Sequence, residues 1–224
     1  MTRPAHRHTT AGLLGLCLVA GAVALAPIGA TNAASSKALN GTFKLTKGSY
    51  SNGKPHGTYF RMSNSGGLFH NPDSTASNKT YTLGTPGTDG GLATGRFQPH
   101  PDPPFDSKGN ALAKKILRPQ AFTSIRFSVV TIKQQKGSSD TASVTTARVS
   151  GRKLTVSLPG FTAEWNKQYF NQGAPKPDGS GSPATGTYNA KTKRFAFEWR
   201  SKVSGGPFNG FTGFWHFEGK FRPR

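Results

Sequence analysis

The residues best suited to acid–base chemistry are a histidine and two glutamates near the C-terminal end of the sequence. His216 and Glu218 lie two residues apart in the segment Phe211 to Phe221, and Glu198 lies in the preceding aromatic-rich segment. Polar and apolar residues alternate in both segments, which predicts β-strands with these three side chains on their polar faces. A histidine that a carboxylate orients can act as a general base. We therefore predict His216 as the base, the alternative being an ordinary solvated surface pair.

Three aspartates supply other partners for His216. Asp89, Asp102 and Asp106 lie between Ser63 and Asn110, in a long stretch with little strand character that is rich in Gly, Pro, Asp and Asn. A loop of this length in a compact domain is usually functional or disordered. Its prolines and aromatic residues favour an ordered cover, which must fold over the polar face if His216 is to act.

Other kinds of site have weaker support. No Gly-x-Ser-x-Gly nucleophile elbow, the signature of an α/β hydrolase, occurs in the sequence. Glu198 and Glu218 could face each other across a hairpin as the carboxylate pair of a glycosidase does. Pairing of these glutamates with nearby basic residues explains their presence equally well. The histidines after the N-terminal segment lack metal-ligand spacing, although His100 with Asp102 and Asp106 is a weak oxygen-rich candidate. We predict neither a metal nor a cofactor.

The elements that position these residues are predicted to be almost all β-strands. Strand-like segments separated by turn signals cover the following ranges: 41–46, 57–62, 81–83, 121–132, 142–149, 153–158, 161–170, 185–188, 194–203 and 211–221. Many short strands of this kind indicate one antiparallel barrel or a two-sheet sandwich. The hairpin of 194–203 with 211–221 presents an aromatic face that closes a core or lines an apolar pocket, and it consists of Phe195, Phe197, Trp199, Phe211, Trp215 and Phe217.

One short helix and a simple domain organisation complete the prediction. Asn110 can cap a helix that continues to Arg118 and is stopped by Pro119. Residues 1–33 read as a secretory signal peptide, because a basic start, an uncharged apolar run and a small-residue stretch follow one another. We expect residues 34–40 to form a flexible tail and residues 41–224 to form a single β domain.

Charge and cysteine content limit the functional classes. The chain has 29 Lys and Arg against 9 Asp and Glu, and removal of Arg3 and Arg7 with the signal leaves 27 against 9, a net charge of +18. Such a field attracts anionic lipid or cell-wall surfaces. Basic residues are spread along the chain, which argues against specific nucleic-acid recognition. Cys17, the only cysteine, leaves with the signal, so thiol and disulfide chemistry are excluded, and we expect a monomer.

Four segments carry a resemblance to a known group of proteins. The segments Gly57–Met62, Thr85–Gly91, Phe170–Gly179 and Gly205–Gly219 resemble those of small secreted actinobacterial proteins, among them the streptomycete cholesterol esterases that lack the lipase elbow. The resemblance runs across nearly all of the chain after the signal, but it transfers no catalytic residues.

The resemblance implies a secreted hydrolase that acts on lipid esters, including steryl esters. Such an enzyme needs a serine nucleophile beside its histidine base, and Ser65 and Ser204 are the candidates. The aromatic face would hold the apolar substrate. The alternative is a non-catalytic β-barrel protein that binds lipid or cell wall with the same apolar surface.

Overall fold

Residues 35–224 are described by a computed structural model, and this region is built from antiparallel β-strands without an α-helix. The strands in its first half are β1 (Lys37–Ala38), β2 (Gly41–Leu45), β3 (Ser49–Ser51), β4 (Lys54–His56), β5 (Tyr59–Asn64), β6 (Gly67–Leu68), β7 (Thr82–Leu83), β8 (Gly91–Ala93) and β9 (Gln120–Phe122). The others are β10 (Ile125–Thr131), β11 (Thr146–Ser150), β12 (Lys153–Ser157), β13 (Phe161–Trp165), β14 (Gln168–Asn171), β15 (Ala184–Tyr188), β16 (Arg194–Lys202) and β17 (Thr212–Pro223). A 3₁₀ turn, Gly206–Phe208, precedes β17.

The main sheet is organised around β17. Its strand order is β1-β11-β12-β15-β16-β17-β2-β8, and β5 adds to β17 beside β2 while itself pairing with β6 and β7. One edge of β17 pairs with β16 along nine residues, whereas the other edge pairs first with β5 and then with β2. The sheet is curled like half of a barrel and is accompanied by smaller sheets, so the predicted all-β class is confirmed.

Both hairpins expected from the sequence are present. The β11–β12 pair turns at Gly151, and the β16–β17 pair aligns Phe197 with Phe217 and Trp199 with Trp215. Their aromatic side chains are buried on the inner face of the main sheet, and their neighbours on each strand point outward. This alternation follows from the period of two residues along a strand.

A second sheet packs against this inner face and completes the core. Its strand order is β14-β13-β10-β9, and Phe161 of β13 places its ring 5.1 Å from Trp199 and 5.0 Å from Trp215. The prediction of single strands over 121–132 and 161–170 was wrong, because each range folds back on itself. The turns contain no glycine, and their residues adopt left-handed conformations at Thr123, Ser124, Asn166 and Lys167.

The outer face of the second sheet is covered by residues 98–118. Gln98 and Ala111 make backbone hydrogen bonds to Thr131 and Arg126 of β10, and the hydroxyl of Ser128 donates to the carbonyl of Ala113. The long stretch expected to cover His216 therefore covers another face of the molecule. It also contributes the short strands β6, β7 and β8 to the main sheet.

The helix predicted from Asn110 to Arg118 is wrong. This segment is extended, and its backbone from Lys114 to Arg118 exchanges hydrogen bonds with residues 85–89. Leu112 is exposed whereas Ile116 is buried, although a helix would place these two residues on one face. Tertiary packing outweighs the weak local helix propensity here.

The segment expected as a flexible tail is attached to the main sheet. Lys37 and Ala38 pair with β11, and Leu39 is buried. The predicted signal peptide, residues 1–33, lies outside the described residues. Across residues 35–224, no helix has the length and apolar character needed to cross a membrane.

Candidate functional site

His216 lies on the outer face of the main sheet, between two glutamates. Its Nδ1 atom is 3.7 Å from Oε2 of Glu198, and its Nε2 atom is 3.7 Å from Oε2 of Glu218. The strand register explains this placement, because β16 sets Glu198 directly opposite His216 and β5 sets Tyr59 on the other side. The imidazole stacks on the Tyr59 ring with centroids 4.7 Å apart.

This arrangement holds His216 as a stacked side chain between two carboxylates. Both separations exceed hydrogen-bond distance, and Nδ1 is buried without a hydrogen-bond partner among residues 35–224. Burial, with Tyr81 and Glu198 nearby, raises the pKa of Tyr59 above its usual value of 10.0. His216 therefore lies within ion-pair distance of a carboxylate, as predicted. Among the described residues, the hydrogen bond that would fix one tautomer of the imidazole is not formed.

The three aspartates proposed as partners of His216 lie elsewhere. Asp89 accepts hydrogen bonds from Arg96 and Gln98, each at 2.9 Å, at the start of β8. Asp106 accepts from the backbone and the side-chain amide of Asn110, and this amide contact is the main reason for the lowered pKa of Asp106. Asp102 is exposed in the segment that covers the second sheet.

Neither candidate serine reaches His216. Ser65 is exposed in the turn between β5 and β6, and Ser204 is exposed near the 3₁₀ turn, where it lines a separate polar groove. Within residues 35–224 neither hydroxyl has a hydrogen bond to the imidazole. The predicted combination of His216 with an aspartate and a serine is not assembled.

The aromatic face divides between the core and a small cavity. Four of its six residues are buried in the core of the domain, which is one of the two predicted roles of this face: Phe195, Phe197, Trp199 and Phe217. Trp215 also belongs to this core and lines an apolar cavity of about 40 Å³ between the two sheets, and Phe211 packs against Phe69 and Phe208. The other cavity-lining residues are Phe60, Met62, Phe122, Phe127, Ala163, Trp165, Phe170, Gln172, Val203 and Phe208.

One side chain from the 3₁₀ turn, Phe208, lines this cavity. The Phe208 ring lies 5.2 Å from Trp165, 5.6 Å from Phe122 and 5.6 Å from Phe69. It is half-buried, whereas the turn residues around it are exposed. Gly205 and Gly210 flank the turn at φ values of +79° and +85°, conformations that glycine adopts without strain. Phe208 is thus an apolar side chain on an exposed loop that lines an apolar space.

A second histidine–carboxylate pair lies beneath the covering segment. Nδ1 of His100 is hydrogen-bonded to Oε1 of Glu164 at 2.5 Å, and Glu164 in β13 has no exposed side-chain surface. The other carboxylate oxygen, Oε2, is buried without a partner among the described residues. Burial raises the pKa of Glu164, and the hydrogen bond from His100 opposes that rise. The imidazole itself is partly exposed beside Tyr169.

Sequence reasoning misses this pair, because the residue pattern predicts one long strand over 161–170 and local spacing places His100 with Asp102 and Asp106. A charged residue at a buried strand position is uncommon and requires a partner. The alternation of β13 places Glu164 on the face opposite Ala163 and Trp165, away from the cavity. That alternation is the signal that could have identified it.

No group of three or more His, Cys, Asp or Glu side chains able to hold a metal ion occurs within residues 35–224. Comparison with protein-family models, curated proteins and solved structures finds no match for this chain.

Proposed function

We propose that this protein acts outside the cell as a non-catalytic binding protein for an apolar group of a lipid, taken up between its two sheets. The observation that carries the proposal is the apolar cavity of about 40 Å³ beneath Phe208. Genuinely empty cavities are apolar and accept apolar ligands, because their lining forms no hydrogen bonds with water. The high net positive charge would also bring the protein to anionic lipid or cell-wall surfaces.

The cavity lining favours binding over chemistry. Gln172 is the only polar side chain among its lining residues, and its Oε1 atom already accepts from Nε1 of Trp215 at 3.3 Å. A ligand in this space would contact rings and methyl groups but no titratable side chain of the lining. The ligand would be held by apolar burial and dispersion.

The size of the cavity requires Phe208 to move. On the same measure of volume, roughly 10–15 Å³ is enough for one water molecule, so about 40 Å³ holds only the end of an acyl chain or part of a ring. Displacement of Phe208 by its glycine-flanked turn would open a continuous apolar groove between Trp165 and Phe122. Loops of this kind commonly close binding sites.

The test is titration with a fluorescent fatty acid and a fluorescent sterol. We expect Phe208→Ala to change the affinity severalfold, and Ala163→Leu, which fills the cavity, to abolish binding. The matched control is Phe105→Ala, because Phe105 is also a half-buried loop aromatic but contacts Tyr169 and does not line the cavity. Absence of binding by the folded wild-type protein, or binding unaffected by Ala163→Leu, would overturn the proposal.

Ester hydrolysis is the second candidate, favoured by the pair His100 and Glu164. With Glu164 holding Nδ1, the other imidazole nitrogen is the one available to accept a proton from water. The water oxygen would attack the ester carbonyl, and the proton would pass to the departing alcohol, so that ester and water give acid and alcohol. This arrangement replaces His216 by His100 and the predicted serine by water.

Fatty-acid release from cholesteryl and p-nitrophenyl esters tests this second candidate. Turnover lost in His100→Ala and reduced in Glu164→Gln, but retained in His216→Ala, would support it. Lack of turnover by the folded protein would exclude it and leave the binding proposal untouched. Turnover lost only in His216→Ala would restore the base predicted from the sequence.

A further inference from the structure

Two arginines flank one aromatic ring on the outer face of the main sheet. Arg200 of β16 and Arg61 of β5 both lie directly opposite Phe214 of β17 in the strand register. Their guanidinium carbons are 4.8 and 5.0 Å from the centroid of the Phe214 ring, so the two carbons are no more than 9.8 Å apart. Cation–π contact holds both side chains in place.

These guanidinium groups have no carboxylate neutralising them. Within residues 35–224 no Asp or Glu oxygen lies within 4.0 Å of Arg61 or Arg200. Glu198 lines the same groove, where its carboxylate lies 3.7 Å from His216. The single side-chain hydrogen bond recorded for Arg61, to the hydroxyl of Tyr81, is long at 3.4 Å. Among the described residues, most of the N–H donors on both guanidinium groups therefore have no partner and can bind an anion.

The pair lies in a groove with defined sides. Arg61, Phe214 and Arg200 form part of a depression of about 410 Å³ on the sheet. Ser182 and Pro183, which precede β15, border one side of it, and Tyr59 with His216 lies at the next rung of the sheet. A groove on a rigid sheet holds side chains in more constant positions than a loop does.

We propose that this groove binds phosphate groups through Arg61 and Arg200. Guanidinium forks match phosphate oxygens with two parallel hydrogen bonds, and an aromatic ring beneath each fork reduces the side-chain entropy lost on binding. Two forks less than 10 Å apart suit a molecule that carries repeated phosphates, and the net charge of +20 draws such a molecule to the surface. The site is separate from the apolar cavity and does not depend on it.

A second basic groove on the same sheet provides a built-in comparison. It is lined by Arg152, Lys191, Lys193, Arg194 and Lys220, with Glu218 at its side. Neither Arg152 nor Arg194 has a recorded cation–π contact among the described residues. If net charge alone attracts phosphate, losing these two arginines must weaken binding as much as losing Arg61 and Arg200.

The experiment measures binding of the full chain to inorganic polyphosphate by calorimetry, and to phosphatidylglycerol vesicles by sedimentation. We expect Arg61→Gln/Arg200→Gln to weaken binding at least about tenfold, since each charged hydrogen bond contributes on the order of that factor. The control Arg152→Gln/Arg194→Gln removes the same charge and is expected to change affinity less than about threefold. Phe214→Leu, which keeps the charges and an apolar side chain, should give an intermediate loss.

The two ligands distinguish soluble phosphate polymers from phospholipid headgroups as the source of the bound phosphate. Binding to polyphosphate alone assigns the site to soluble phosphate polymers, binding to vesicles alone assigns it to phospholipid headgroups, and both support the proposal. Equal losses in the two arginine pairs, equal affinity for poly-glutamate, or no binding by the folded wild-type protein would overturn it. Thermal unfolding of each variant confirms that the comparison is made between folded proteins.

Discussion

The buried carboxylate of Glu164 meets the imidazole of His100 at 2.5 Å, and this contact joins the covering segment to the outer face of the second sheet. Glu164 comes from β13, whereas His100 lies 64 residues earlier in the chain. Breaking an ion pair in which both partners are fully buried costs about 3–5 kcal/mol, and the partly exposed imidazole of His100 lowers that cost here. The pair therefore fastens the covering segment whether or not it also transfers protons.

Glu164→Gln is expected to remove a pH dependence of stability. Burial raises the pKa of Glu164 in the folded protein above 4.5, so over an interval above that pH the folded state holds a proton that the unfolded state has released. The wild-type free energy of unfolding should therefore fall, relative to the variant, as pH rises above 4.5. Urea unfolding of both proteins across this range measures the difference. A wild-type protein that gains stability relative to the variant would contradict the assigned direction.

Asp106→Asn should show the opposite pH dependence, with the wild type gaining stability relative to the variant as pH rises. The Asn110 side chain lowers the pKa of Asp106 in the folded protein below 3.8, so the carboxylate contributes stability that is present above 3.8 and lost as pH falls through its folded pKa. We expect the variant to be slightly less stable than the wild type at neutral pH and equal to it in acid. Thermal unfolding at neutral pH and well below 3.8 tests this, and a difference that persists in acid would argue against it.

Gln172→Leu tests the polar contact at the base of the cavity. The Gln172 side chain accepts from Nε1 of Trp215 at 3.3 Å, whereas its backbone carbonyl accepts from Nε1 of Trp199 at 2.8 Å. Leucine removes the first bond together with the bond that the Gln172 amide donates to the carbonyl of Asn171 at 3.1 Å, and it keeps the backbone bond to Trp199. The buried indole N–H of Trp215 is then unpaired, at a cost of about 1–3 kcal/mol. Urea unfolding and tryptophan fluorescence measure the effect. Unchanged stability would show that the Trp215 contact contributes nothing.

Gly219→Ala is expected to disrupt the join between β17 and β2. A Cβ atom on Gly219 would lie 1.9 Å from the backbone oxygen of Lys44, which cannot move without shifting β2. Overpacking of this kind costs about 1–3 kcal/mol or more. The control is Gly53→Ala, where φ is +73° but no atom lies within 4 Å, so only about 1 kcal/mol of backbone strain is expected. Equal losses in the two variants would refute the close approach.

Much of the fold could be predicted from residue patterns, because burial on one face imposes a period of two. The alternation of Phe195, Phe197 and Trp199 placed the β16–β17 hairpin and its buried face correctly. The helix at 110–118 failed because backbone hydrogen bonds to residues 85–89 decide that conformation, and these are invisible in the local sequence. The turns at Thr123 and Asn166 were not predicted, because their left-handed residues are not glycines.

The candidate sites were harder to predict, because they depend on which distant segments meet. Local spacing brought His216 near Glu198 and Glu218, a relationship that strand alternation can supply. The contact of His100 with Glu164 depends on where the covering segment lies, and no residue pattern near either position specifies that. The local sequence likewise gives no sign that Phe208 lines a cavity built by strands far apart in the chain.

The position of β17 in the main sheet also has a consequence for synthesis of the protein. Strands β2 and β5 on one side and β16 on the other are joined through β17, which the ribosome makes after all three of them. In a nascent chain that ends before Thr212, the strands of the main sheet therefore form three separate groups, β1-β11-β12-β15-β16, β2-β8 and β5 with β6 and β7. Their unpaired edges are prone to associate with other chains. Cooperative closure of the core must wait until translation has passed this strand.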